Sequence, residues 1–329
     1  MTYQSMPKVE IHHHIEGAAP PKFIASLARE KNIDISQIFD ADGNYAYTGF
    51  AEFLDIYEAA CQPLTGPQEF YRLTHAILEE AADHGVVYLE TFISPDFCGG
   101  GDVSAWRDYT AAIAQAAAEA ERDAGITLRC IVTAVRHSGP DKARAAARCA
   151  AETKGDFITG FGMGGAETHL RPRDFAYAFD MAREAGLQLT CHAGEWGGAQ
   201  MVAETIHDLR VGRIGHGIHV MQDPELVSEA VEKGIVFEVC PGSNVSLGAV
   251  TGWDAHPIAA MRDAGLKVTV STDDPPFFHT TMTHEFNMLN KTFGWDAPDF
   301  DALNRTALAA AFCDDATRAG ITKKLELSK

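Results

Sequence analysis

Four short stretches hold side chains of the kind that bind metals and move protons. His12-His13-His14 closes an apolar run that starts at Lys8, and His192 and Glu195 sit in Thr190-Cys191-His192-Ala193-Gly194-Glu195. His216 lies between Gly215 and Gly217, and Asp273 and Asp274 precede Pro275. On an extended chain His12 and His14 share one face while His13 points to the other. Two imidazoles on one face can chelate a single divalent ion. His192 supplies a third neutral nitrogen, a set that suits Zn²⁺ or another borderline divalent metal. Asp273 completes the protein shell and leaves a position for water, whose pKa zinc lowers to about 7. The chemistry implied is hydrolysis at an electrophilic carbon.

Glu195, three residues beyond His192, is suited to protonating a heteroatom near the metal. His216 reads as a fourth nitrogen ligand or as a base, with flanking glycines that permit close backbone approach. A two-metal hydrolase on such a scaffold needs a bridging lysine or carboxylate after the fourth strand. That strand ends Gly162-Met163-Gly164-Gly165-Ala166-Glu167, with no lysine and only Glu167 in reach. One metal, with His216 free for acid/base work, is therefore expected. Taken singly, these residues have ordinary explanations: most of the 14 histidines belong to surface or core, and Asp-Asp-Pro is commonly a turn. Their shared position at the ends of apolar runs is what argues for a site.

The elements that would position them recur in a regular order. Apolar or β-branched runs cover residues 8–11, 86–94, 127–134, 158–163, 187–191, 213–215, 235–240 and 266–272. Alanine-rich or amphipathic helical stretches separate them, as in 111–124 and 141–153. Thr65-Gly66-Pro67-Gln68 has capping-box spacing ahead of Phe70, Leu73, Ile77 and Ala81. Gly125, Gly186, Gly234 and Gly265 stand where a helix must stop before the next strand. Eight such units in one chain predict an α/β fold, a closed (β/α)₈ barrel rather than an open doubly wound sheet, since no Gly-rich phosphate loop follows the first strand. Residues 32–64 form a helical insertion after the first strand, and 283–327 read as C-terminal helices. A single domain over 1–329 is expected. In a parallel barrel the strand C-termini converge on one face, which brings His12, His192, His216 and Asp273 to one rim.

Composition narrows the partners. The 329 residues carry 27 basic and 46 acidic side chains, a formal net charge of −19, with no basic patch; nucleic acid is not expected as a partner. No apolar stretch of 18 residues occurs and the start lacks a signal-peptide pattern, so no membrane association is expected. Seven scattered cysteines without a Cys-x-x-Cys pair fit reduced thiols in a cytoplasmic protein.

Four ordered motifs resemble the adenosine/adenine deaminase family over nearly the whole chain: His12-His13-His14-Ile15-Glu16-Gly17, His192-Ala193-Gly194-Glu195, Gly215-His216-Gly217 and Thr272-Asp273-Asp274-Pro275. The resemblance implies that His12, His14, His192 and Asp273 bind one zinc ion. It implies that Glu195 protonates purine N1 and that His216 orients the attacking water and takes its proton. His14, Glu16, Gly165 and Asp274 then meet the substrate, Asp274 at N7 and Gly165 through its N–H at N3. Glu16 replaces the aspartate usual in adenosine deaminases, while the Ser-Ser-Glu of adenine deaminases and their aspartate at position 215 are also absent. Because Gly164-Gly165 leaves room for a sugar, adenosine or 2′-deoxyadenosine is the expected substrate, with adenine or another modified adenine compound as the alternative. The insertion helix, with Phe50, Phe53, Leu54 and Tyr57 at helical spacing, would pack on the barrel and lid the purine pocket. Trp196 reads as either pocket wall or core.

Overall fold

The computed structural model describes residues 3–327. All eight expected strands form: β1 (Lys8–Glu10), β2 (Val86–Ile93), β3 (Thr127–Val135), β4 (Ile158–Gly164), β5 (Gln188–Ala193), β6 (Arg213–His216), β7 (Val236–Val239) and β8 (Lys267–Val270). They lie in parallel in chain order, so each βα unit adds the next stave. The seam between the last stave and the first is made just beyond the regular strands. There the His14 N–H donates to the Asp273 carbonyl (3.0 Å) and the Asp273 N–H to the His12 carbonyl (3.2 Å). The barrel thus closes through the residues read as metal ligands. With helices outside and side chains within, nearly every strand residue is buried, which is why the runs are continuously apolar rather than alternating.

Helix punctuation follows the glycines. Gly125 and Gly234 take the left-handed conformation directly after their helices (φ 71° and 66°). Gly186 and Gly265 do so one residue later (φ 78° and 87°). The capping box at Thr65 does not form. Its helix begins at Pro67 with Gly66 as an uncapped start. Thr65 instead takes a hydrogen bond from Lys31 Nζ (2.6 Å), so a tertiary contact wins over the local one.

The insertion folds as a short turn at Ser36–Ile38 and a helix over Phe50–Cys61 that leans across the barrel mouth. Phe53 and Tyr57 pack against Phe277 of the β8 loop (ring centroids 5.3 and 5.8 Å). The terminal helices Met282–Phe293, Ala297–Ala310 and Asp315–Glu326 form as expected. The middle one covers β8 and β1, and its Asn304 accepts from the Val9 N–H (2.9 Å) and donates to the Pro7 carbonyl (3.0 Å). Phe312, just after it, plugs the bottom of the barrel. A Cβ on Gly160 would come within 2.6 Å of its ring, and the Arg213 guanidinium lies 3.6 Å from the ring centre. All seven cysteines are free thiols, six of them buried. No helix among the described residues is long and apolar enough to cross a membrane.

Candidate active site

His12, His14, His192 and Asp273 converge at the strand C-termini, each offering a ligand atom within 4.8 Å of the others. His14 Nε2 and His192 Nε2 face each other at 3.2 Å, and His12 Nε2 is buried without a hydrogen-bond partner. Nitrogens so gathered need something between them, and three nitrogens with one carboxylate are a donor set that fits a divalent metal such as zinc. Their orientation is enforced from behind. His192 Nδ1 lies 3.0 Å from the Met163 carbonyl, which can only accept, so the proton sits on Nδ1 and the Nε2 lone pair faces the cluster. His12 Nδ1 meets Glu238 Oε2 at 2.7 Å in the same sense. Such outer partners fix tautomer and ring angle for a metal-binding imidazole. His13 turns away, as strand alternation requires, and bonds Thr91 Oγ1 (3.0 Å).

Two of the site residues hold strained backbone. His216 (φ 58°) and Asp273 (φ 67°) adopt the left-handed conformation, which costs a non-glycine residue roughly 1–2 kcal/mol. The seam hydrogen bonds hold Asp273, and Ser243 Oγ donates to its Oδ2 (2.7 Å). Gly215 accommodates the ligands directly: a Cβ there would sit 2.8 Å from His12 Cε1 and 3.2 Å from His192 Cα. An aspartate has no room at that position.

Electrostatics sort the carboxyl groups into two kinds. Burial works against charge on Asp273, yet the His12 and His14 rings, 3.4 and 3.2 Å from its Oδ1, outweigh it and hold the group well below the usual range. Glu195 and Asp274 are pushed well above it, first by burial and then by the neighbouring Asp273 charge. Glu16 is pushed up to about 7 by burial. Burial and the Asp273 charge thus both favour the protonated form of Glu195 and of Asp274. Burial also holds His216 down to about 3 and His192 well below its ordinary value, so both are neutral.

These groups open onto one cavity of about 750 Å³ including its mouth. His14, His192, His216, Glu195, Asp273 and Asp274 form its deep end, and Phe50, Phe53, Leu54 and Tyr57 of the insertion helix cover it. Trp196 stands behind that helix, its ring 4.9 Å from Phe50, and is not part of the cavity lining. Glu16 and Gly165 are on the wall as expected; His12 lies just behind it. Glu16 accepts from the Ser94 N–H (3.1 Å) and the Tyr57 hydroxyl (3.3 Å). Gly164 and Gly165 both line the cavity, but side chains stand close to each of them. A Cβ on Gly164 would lie 3.2 Å from His192 Cε1, and one on Gly165 2.8 Å from His137 Nδ1. Neighbouring side chains fill part of the space that the missing side chains leave. His137 in turn reaches Glu58 of the lid helix (3.4 Å) across the mouth.

Three polar residues behind the site go beyond the roles read from sequence. Glu167 receives the backbone N–H groups of Gly194, Glu195 (3.0 Å) and Trp196 (2.7 Å), pinning the loop that carries Glu195. Glu238 backs His12, and a carboxylate inside the apolar run Ile235–Cys240 was its available signal. Asn244 lies between Glu195 and His216 and carried no comparable mark.

Fold and site together define a (β/α)₈ enzyme whose three histidines and one aspartate can hold a metal beside a buried carboxyl group. The adenosine deaminase family profile matches residues 7–327, and the chain belongs to that family. An adenine deaminase of Rhizobium rhizogenes is 42% identical over 321 residues, spanning 97% of this chain and 99% of the relative. Among solved structures, an adenine deaminase from Arthrobacter aurescens superposes with a TM-score of 0.90 at 32% identity, covering 98% of each chain. An amidohydrolase from Burkholderia ambifaria, solved with bound zinc, superposes at 0.86 with 28% identity, covering 99% of this chain and 92% of its own.

Proposed function

We propose that the protein hydrolyses adenine to hypoxanthine and ammonia, using one zinc ion held by His12, His14, His192 and Asp273. The observation that carries the reaction type is the cavity in which this ligand group faces His216, Glu195 and Asp274, the two carboxyl groups being pushed toward their protonated form by burial. When bound, zinc supplies Lewis-acid activation of the attacking water at neutral pH. The remaining work falls to the chain. Glu195 gives a proton to purine N1, which makes C6 more electrophilic. Asp274 Oδ1, buried without a partner, donates to the N7 lone pair. The Gly165 N–H meets N3, and His216 faces the attacking water. C6 gains oxygen and the amine leaves as ammonia.

Three observations favour the free base over the nucleoside. The similar proteins from Rhizobium rhizogenes and Arthrobacter aurescens are named adenine deaminases. Part of the space opened by Gly164-Gly165 is filled by His192 and His137. Glu16, tied to Ser94 and Tyr57, and the Glu58–His137 pair narrow the wall and mouth through which a sugar would pass.

Ammonia release from adenine, followed in metal-free and zinc-reconstituted protein, tests the reading. Turnover is expected only with metal. Glu195→Gln is expected to keep its zinc and lose roughly 10²–10⁴-fold in kcat. Near wild-type turnover by that variant removes Glu195 from proton transfer.

A further inference from the structure

Asn244 is fully buried on the short helix after β7, and its amide touches two site groups and His256 without facing the cavity. Nδ2 lies 3.1 Å from Glu195 Oε1 and 3.2 Å from His216 Nδ1, while Oδ1 lies 3.2 Å from His256 Nε2. Which way the amide points is decided two residues beyond His256. The Ile258 N–H donates to His256 Nδ1 (3.1 Å), and a backbone N–H can only donate. His256 Nδ1 is therefore a lone pair and its proton is on Nε2. That proton needs an acceptor, so Asn244 turns its oxygen toward His256. Both Nδ2 protons then point the other way, one to Glu195 and one to His216. With Nδ1 of His216 accepting, the single proton of this neutral ring sits on Nε2, on the side of Asp273 Oδ2 (3.8 Å).

We infer that Asn244, locked by His256, is a positioning residue that fixes His216 as the Nε2–H tautomer and holds Glu195 beside it. The chain of donors is Ile258 N–H to His256, His256 to Asn244, and Asn244 to both Glu195 and His216. A consequence follows for the reaction. A ring already protonated on Nε2 donates a hydrogen bond to the attacking oxygen and does not take its proton, unlike the role the family resemblance implies. Proton traffic then runs through Glu195. It gives its proton to N1, takes one from the attacking water as the C6–O bond forms, and passes that one to the departing amine as the C6–N bond breaks. It takes the second proton of the water as the C6 hydroxyl becomes a carbonyl, and so ends protonated as it began.

The catalytic consequence rests on the proposed deamination, but the tautomer does not, so the two can fail separately. Long-range ¹H–¹⁵N correlation of the histidine rings in zinc-loaded protein reads the tautomer without substrate, with His216 assigned by its loss in His216→Gln. The proton is expected on Nε2. Asn244→Asp replaces the donor by an acceptor and is expected to move the proton to Nδ1. With zinc content kept, kcat for adenine should fall roughly 10³-fold, more than KM changes. His256→Gln, which retains a donor for Asn244 Oδ1, should preserve tautomer and kcat where His256→Leu does not. A wild-type His216 protonated on Nδ1 overturns the inference, and needs no variant to fold. So does an Asn244→Asp enzyme with unchanged kcat.

Discussion

Two of the clustered imidazoles are each held by a group that can only accept a hydrogen bond. The Met163 carbonyl can only accept from His192, and the Glu238 carboxylate does the same for His12. Glu238 is itself held ionised, with a pKa of about 2: burial opposes the charge, and Arg213 and His12 outweigh it. Replacing it by glutamine keeps an acceptor for His12 but removes the charge. Zinc affinity of Glu238→Gln, measured by competition with a chelator, should fall about 10–100-fold. An unchanged affinity would mean that Glu238 serves only the barrel interior. At this scale the histidines and aspartates were legible because they end apolar runs, where a barrel builds its rim. Asn244 was not, because its importance depends on a tautomer set through His256 and Ile258, contacts made only once the loop is folded.

Among the elements, strands were easier to read than loops. The runs at 86–94 and 127–134 match β2 and β3 to within a residue or two, since burial on both faces leaves a continuous apolar signature. The Thr65 capping box failed because Lys31 claims the hydroxyl, a partner 34 residues away that local spacing cannot reveal. Gly164-Gly165 shows the same limit of local reading: a missing side chain does not reveal that His192 and His137 stand within 3.2 Å of where a Cβ would be. The loop after β5 shows the converse, a short segment whose geometry is imposed from β4 by Glu167. Truncating that acceptor in Glu167→Ala leaves three N–H groups of residues 194–196 without it. Each costs roughly 1–3 kcal/mol when buried and unsatisfied. The variant should melt several degrees lower, and its kcat should fall along with its stability because Glu195 rides on that loop. A lower melting temperature with kcat intact would separate Glu195 placement from Glu167.

The molecule as a whole buries carboxyl groups that are protonated when folded, and this makes its stability depend on pH in a definite direction. Glu285 is the clearest, pushed up to about 8 by burial, with the Gly242 N–H at 3.1 Å from Oε2 and Thr280 at Oε1. Its unfolded pKa is the ordinary 4.5, so between these values unfolding releases a proton. The stabilisation is complete below the unfolded value and is lost as pH rises through the folded one, at about 1.4 kcal/mol per unit. Glu285→Gln preserves both hydrogen bonds without titrating. Denaturant unfolding should therefore show the variant gaining on the wild type steadily from pH 5 to about pH 8 and no further above it, and parallel curves would place the folded pKa near 4.5. The fold as a whole was legible in the alternation of helix, glycine and buried run. The substrate was less so, since the motifs left base and nucleoside both open, and the proposed preference for the base turns on the wall near Glu16. Incubating the zinc-loaded protein with equimolar adenine and adenosine, and resolving hypoxanthine from inosine by chromatography, measures that difference directly. Hypoxanthine formed at least about 100-fold faster than inosine, a gap of about 2.7 kcal/mol, is the predicted result. Inosine formed first would contradict the account and return the wall at Glu16 to sugar recognition.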